Sequence, residues 1–262
     1  MPLNLPELDE TALSNPPLLV VICQVRFEQN LVVSDGDTGI RIHEQLGGRG
    51  GDYRWIEPLQ TMAAQIEISP YGYSQGLAAG VQMNGWRLKS EDGAWTVTVL
   101  PDSASLETTA YKEWKGDFED RFRTLLTALA EHVDPSIEQR LGLRYVNRIP
   151  ADTRREPKDW IEVIAPELIP PLTDTFWAPG LRNSQNQLEL DINDGARCLM
   201  RHGFVYGQDG KLEGYALDYD VFRQGAQRFD ASAIQAVLDY FHKVALAVFQ
   251  KSLTSSYLSS LR

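Results

Sequence analysis

Three short turn sequences, each ending in Asp-Gly, constrain the fold of this 262-residue chain most strongly. They are "EDG" at 91–93, "NDG" at 193–195 and "QDG" at 208–210, and alternating apolar and polar segments flank each of them. Glycine accepts the positive φ that a tight hairpin turn requires, so Asp-Gly between two such segments is a strong hairpin signal. The sequence therefore predicts antiparallel hairpins.

Two segments with apolar residues at spacings of three and four predict long helices. They cover residues 117–133, with Asp117 as the expected cap, and residues 231–253. Hairpins followed by helices that cover them indicate an α+β fold with one or more antiparallel sheets. The order of strand, hairpin and helix occurs twice, so we expect two similar halves. Residues 1–150 end in an arginine-bearing strand, and residues 151–262 end in the long helix.

The net charge of this chain limits the classes of partner that it is expected to bind. It has 25 Lys and Arg against 36 Asp and Glu, for a formal charge of -11. Nucleic-acid binders gain affinity by neutralising phosphates, so this balance argues against nucleic acid as a partner. The first residues lack the basic and apolar regions of a signal peptide, and no apolar run is long enough to span a membrane. We therefore expect a cytoplasmic protein that does not enter a membrane.

Motifs for a cofactor or a nucleophile are missing from the sequence. Cys23 and Cys198 lie in apolar segments without a CxxC pair, which predicts small buried residues rather than zinc ligands or a disulfide. The "GGRGG" segment at 47–51 lacks the Lys-Ser/Thr ending of a phosphate-binding loop, so we interpret it as a surface loop. No cofactor is expected, and the chain is more typical of a non-enzymatic protein.

Three carboxylates are weak candidates for a metal site. Asp218 and Asp220, in "LDYD", would point to the same side of a strand, where two carboxylates can hold a divalent ion. Glu107 lies in "PDSASLETTAYK", which only faintly resembles the core of restriction-type nucleases because the expected lysine is absent. Polar residues on a solvated face explain Asp218 and Asp220, and we prefer that interpretation; the missing lysine argues against a metal site at Glu107.

The segment "RLGLRYVNRIP", residues 140–150, predicts a strand with an unusual row of arginines. Arg140, Arg144 and Arg148 would share one face, opposite an apolar face. The planar guanidinium group suits carboxylates and phosphates. Cross-strand ion pairs with the chain's own acids are the first interpretation. A groove for an anion or a partner, formed by Arg140, Arg144, Asn147 and Arg148, is the second.

Four segments resemble a known family in the right order along the chain. They are "NPPLLVVICQVRF" at 15–27, "GWRLKSEDGAWTVTVLPDSASLETTAYKEWKGDFEDRF" at 85–122, "RLGLRYVNRI" at 140–149 and "HKVALAVFQKSLTSSYLSSL" at 242–261. In these segments the chain is similar to a sporadically distributed family of bacterial proteins. The resemblance implies no established activity, cofactor or catalytic residue. The patchy distribution of the family implies exchanged gene sets, such as defence or toxin–antitoxin modules.

Three hypotheses about function follow. The first is a non-enzymatic cytoplasmic interaction protein, antitoxin-like or an accessory subunit of a defence module, whose partner is another protein; it also allows a homo-oligomer. The second is a module that binds a small anion or a nucleotide through the strand with Arg140, Arg144 and Arg148. The third is a metal-dependent hydrolase that uses Glu107 or the pair Asp218 and Asp220.

Overall fold

The computed structural model describes residues 2–6, 8, 13–69, 72–154 and 156–262, and for residues 61–69 and 72–83 it describes the backbone alone. The described residues form nine strands and five α-helices, which confirms the α+β class. The strands are β1 (Leu18–Phe27), β2 (Trp55–Ser69), β3 (Gly72–Lys89), β4 (Trp95–Leu100), β5 (Ser103–Thr108), β6 (Ile137–Pro150), β7 (Gln185–Asp191), β8 (Arg197–Tyr206) and β9 (Leu212–Arg228). The helices are α1 (Gly36–Gln45), α2 (Glu119–His132), α3 (Pro170–Thr173), α4 (Ala231–Ser252) and α5 (Ser255–Ser260).

The nine strands form one antiparallel sheet in the order β2-β3-β4-β5-β1-β6-β9-β8-β7. The arginine-bearing strand β6 is therefore an interior strand, whereas β7 lies at an edge. No helix in the described part of the chain is long and apolar enough to cross a membrane.

The chain divides into two compact units whose bounds differ from the expected halves 1–150 and 151–262. The first unit comprises Met1–Cys23, Arg140–Gly225 and Ser232–Arg262, and the second comprises Gln24–Gln139 and Ala226–Ala231. Strands β1, β6 and β9 contribute residues to both units, so a single cut at residue 150 does not reproduce this division. The similarity of the two halves stays a prediction.

The second unit contains the hairpin with the first Asp-Gly turn. Strands β3 and β4 pair in antiparallel register, and Gly93 between them has a φ of +71°, as the sequence predicts. Helix α2 buries the predicted apolar stripe of Phe122, Leu125, Leu126 and Leu129. One prediction here is wrong: α2 begins at Glu119, and Asp117 does not cap it. The Asp117 carboxylate instead accepts a hydrogen bond from Arg121 Nε at 2.8 Å.

The first unit contains the other two hairpins and the long helix. Asp194 and Gly195 both have a positive φ, which is the geometry of the type I′ turn expected between β7 and β8. On α4 the buried residues include Ile234, Leu238 and Phe241. The β6 residue Tyr145 contacts this helix, since its hydroxyl lies 2.8 Å from His242 Nδ1. One face of β6 therefore belongs to a core covered by α4.

Candidate functional site

Strand β6 has one buried face and one polar face, as the alternation in the sequence predicts. Leu141, Leu143 and Ile149 are fully buried, while Arg140, Arg144 and Arg148 lie on the other face with partial exposure. Asn147 does not lie with the arginines, contrary to our second interpretation. Asn147 is buried on the core face, where its amide nitrogen donates to the carbonyl of Leu217 at 3.3 Å.

Each arginine of the row pairs with a carboxylate of the neighbouring strand β9. Arg140 Nη2 lies 2.9 Å from Asp220 Oδ2, and Arg148 Nη2 lies 2.6 Å from Glu213 Oε2. Arg144 makes a bidentate contact with Asp218, in which Nε and Nη2 each donate at 2.7 Å. Such forked contacts are stronger and more directional than a single bond. The row therefore forms the cross-strand ion pairs of our first interpretation.

A fourth arginine, Arg201 on β8, joins this cluster, although it was not predicted from the sequence. Asp218 is the cross-strand partner of Arg201 in the β8–β9 register, and Arg201 Nη1 lies 3.5 Å from Asp218 Oδ2. Its Nε donates to Gln187 Oε1 on β7 at 3.2 Å. The turn at 208–210 alone does not predict this pairing, because an irregularity between Val205 and Tyr206 shifts the register of β8 and β9 by one residue.

The cluster holds more positive than negative charge. Arg140, Arg144 and Arg201 surround the two carboxylates of Asp218 and Asp220, which leaves one surplus guanidinium charge. The hydrogen bonds to Asp218 raise the pKa of Arg144, whose side chain is partly exposed. Burial raises the pKa of Asp220, although the charge of Arg140 acts in the opposite direction. An anion from solution could meet the outer side of Arg144 and Arg201.

Two of the three carboxylates considered as metal ligands are bound by arginines. Asp218 and Asp220 do share one face of β9, but arginines bind both of them. Glu107 lies on β5 in the second unit, where it is the cross-strand partner of Thr96. Among the described residues, no group of three or more His, Cys, Asp or Glu side chains could hold a metal ion. The arrangement of these three residues thus gives no support to a metal-dependent hydrolase.

The two cysteines are buried, as expected. Cys23 and Cys198 have no exposed surface and are free thiols. Burial raises the pKa of Cys198 to about 12, and the nearby carboxylates of Asp220 and Asp218 act in the same direction. A thiol with so high a pKa stays protonated at neutral pH and is a poor nucleophile.

An exposed aromatic pair is a second feature that was not predicted from the sequence. Phe176 and Trp177 are 78% and 62% exposed, and their ring centroids lie 4.8 Å apart in an edge-to-face arrangement. The Asp174 carboxylate holds this turn, since it accepts hydrogen bonds from the backbone N–H groups of Phe176 and Trp177 at 2.9 and 3.0 Å. We call residues 174–183 the aromatic loop. No apolar periodicity marks this loop in the sequence.

A groove of about 1010 Å³ lies along the second part of the aromatic loop. Its wall contains apolar surface from Pro157, Pro179, Leu181 and Tyr206, and charged groups from Glu156, Lys158 and Arg182. Lys158 is already paired with Glu156 at 2.7 Å, and the Tyr206 hydroxyl donates to the carbonyl of Arg182. The aromatic loop therefore combines exposed rings with a mixed apolar and polar groove, as protein-binding surfaces do.

No family model and no curated protein sequence matches this chain. The resemblance to a family of bacterial proteins therefore stays a prediction.

Proposed function

We propose that this chain is a non-enzymatic cytoplasmic protein that binds another protein through the aromatic loop and its groove. The observation that carries the proposal is the pair of exposed rings of Phe176 and Trp177. Tryptophan and other large aromatic residues supply much of the binding energy in protein interfaces, because they bury a large apolar area with few rotatable bonds. Two adjacent exposed rings have a high free energy in water and are stabilised by a partner that covers them.

The hydrogen-bonded conformation of the aromatic loop supports the same proposal. A loop that is already fixed by hydrogen bonds loses little conformational entropy when it binds, so more of the contact energy becomes affinity. Asp174 provides this order at the start of the loop. The formal charge of -11 favours a basic partner, because opposite fields accelerate association. The family resemblance favours an antitoxin-like protein or an accessory subunit of a defence module.

A pull-down from cells of the native host tests the proposal. The tagged chain should retain a protein partner in stoichiometric amount, and the double variant Phe176→Ala/Trp177→Ala should lose it. The matched control is Trp55→Ala, which removes a ring that is 58% exposed in the second unit and should leave binding unchanged. The absence of any stoichiometric partner, or equal retention by the double variant, would contradict the proposal.

A second candidate function is the binding of a small anion or nucleotide at the arginine cluster. It is favoured by the surplus guanidinium charge where Arg144 and Arg201 converge on Asp218. Calorimetric titration with inorganic phosphate and nucleoside triphosphates tests it. Arg201→Ala should abolish binding, while Arg197→Ala, which removes a β8 arginine paired one-to-one with Glu189, should preserve it. If the unmodified chain binds none of these anions, the candidate is eliminated.

A further inference from the structure

The edge strand β7 is exposed along almost its whole length. Six of its seven residues are exposed, and Leu188 exposes 38% of its surface although it is apolar. Edge strands offer unpaired backbone groups to other chains, and proteins usually protect them with proline, lysine or a bulge. Gln185–Asp191 contains no proline, lysine or bulge, and its pairing with β8 is regular throughout. Its two charged residues are Glu189, which is paired with Arg197 on β8, and Asp191 at the end of the strand.

The hydrogen bonds of β7 show which of its backbone groups point away from the sheet. Ser184 accepts from the N–H of Phe204, and the N–H of Ile192 donates to Ala196, so residues with even numbers bond towards β8. In an antiparallel pair the residues between them direct N–H and C=O outwards. The outward residues are therefore Gln185, Gln187, Glu189 and Asp191. In the described part of the chain, one bond reaches this edge, from the N–H of Leu3 to the carbonyl of Asp191.

We propose that two copies of the chain associate by pairing their β7 strands antiparallel about a two-fold axis at Leu188. In this register Gln187 of one copy faces Glu189 of the other twice, and each of these pairs can exchange two backbone hydrogen bonds. The two Leu188 side chains face each other at the axis, where strands approach most closely. This inference does not depend on the proposed function, because it uses a different surface of the chain.

Charge complementarity selects this register. If the axis lay at Glu189, the two Glu189 carboxylates would face each other, and like charges opposite one another destabilise a strand pair. If it lay at Gln187, Leu188 would face Asn186 and its apolar surface would stay uncovered. With the axis at Leu188, an amide faces a carboxylate on the polar side. On the other side, Leu188 extends the apolar surface of Met200, its buried partner on β8.

The expected association is weak. One pair of short strands buries less surface than a standard stable interface, which covers about 1,200–2,000 Å². The central residue pairs do not include Asp191, whose carbonyl accepts a hydrogen bond from the N–H of Leu3 at the end of the strand. We therefore expect a reversible dimer whose population rises with protein concentration.

Sedimentation equilibrium of the full chain over a wide concentration range tests the proposal. The unmodified chain should show a monomer–dimer equilibrium. Leu188→Lys should weaken it at least about tenfold, because two ammonium groups then meet at the axis. The control Ile161→Lys changes an apolar residue that is 46% exposed away from β7, and it should not alter the equilibrium. A chain that is monomeric at every concentration would overturn the proposal.

A second pair of variants tests the register itself. Gln187→Glu should weaken the dimer, because two carboxylates then face each other twice, while Arg201 beside it stabilises the new charge within the monomer. Adding Glu189→Gln restores an amide opposite a carboxylate and should recover the original dissociation constant. With an axis at Gln187 the double variant would keep two facing glutamates and would not recover. Failure of this recovery, or a dimer insensitive to Gln187→Glu, would show that the interface is a different one.

Discussion

The three ion pairs between β6 and β9 differ in the burial of their carboxylates. The Asp218 side chain is only 11% exposed, whereas that of Glu213 is 48% exposed. A carboxylate removed from water needs its partner, because an unpaired charge in a poorly solvated place is costly. An exposed ion pair contributes little, because water and salt screen it. The pair of Arg144 with Asp218 should therefore matter most for stability.

We predict that Arg144→Ala lowers the free energy of unfolding by about 2 kcal/mol, less than for a fully buried pair because Arg201 still lies near Asp218. Arg148→Ala, the matched control, should lower it by less than about 1 kcal/mol, since its partner Glu213 is well solvated. Urea unfolding followed by circular dichroism measures both values. If the two variants lost the same free energy of unfolding, the burial of the carboxylate would not decide how much each ion pair contributes.

His202 gives the stability of the chain a pH dependence with a definite sign. It is buried on β8 with Nδ1 2.7 Å from the Tyr215 hydroxyl, and burial lowers the pKa of the histidine from its ordinary value of 6.5. Since the unfolded chain then binds a proton more readily than the folded chain, stability is retained above pH 6.5 and declines as the pH falls below it.

Thermal unfolding across this pH range tests the role of His202. The unmodified chain should lose stability on acidification more steeply than His202→Gln, which keeps a polar group near Tyr215 but does not titrate. The difference between the two should be constant above the ordinary pKa of histidine and change only below it. If the stability of both chains changed with pH in the same way, His202 would be excluded as the source of the pH dependence.

Local elements followed from the sequence wherever a short-range signal specified them. The Asp-Gly turns, the apolar stripes of α2 and α4, and the two faces of β6 depend on neighbours within a few residues. Strict alternation puts Asn147 on the core face of β6. Its prediction as a groove residue was wrong because it relied on the polar side chain and not on the position in the strand. The aromatic loop has no periodicity and no Asp-Gly turn, so its conformation could not be predicted from local pattern.

The first hairpin turn can be tested by substitution of its glycine. Gly93 has a φ of +71°, and a Cβ added there would meet no other atom within 4 Å. Gly93→Ala should therefore lower stability only through the strain of its backbone conformation. We expect a loss of about 1 kcal/mol, because L-residues other than glycine disfavour this conformation. Gly180→Ala is the control, since Gly180 also has open space but no positive φ. A similar loss in both variants would exclude conformational strain as the cause.

For the molecule as a whole, the sequence predicted the fold class but not the division into units. Strand pairing between distant segments decides that division, and it leaves no local pattern. The first unit gathers residues from the beginning, the middle and the end of the chain. The position of Arg201 could not be predicted for the same reason. It lies beside Asp218 because of the register between β8 and β9, which the alternation within a single strand does not specify.

The net charge of -11 leads to a prediction about self-association through β7. Two copies with the same charge repel each other, and screening extends over about 30 Å at 0.01 M salt but only about 8 Å at 0.15 M. The proposed interface uses backbone hydrogen bonds, leucines and Gln–Glu contacts, without ion pairs between the copies. Added salt should therefore strengthen the dimer, as measured by sedimentation equilibrium at both salt concentrations. Weakening by salt would instead indicate an interface held by ion pairs, such as one that uses the arginine cluster.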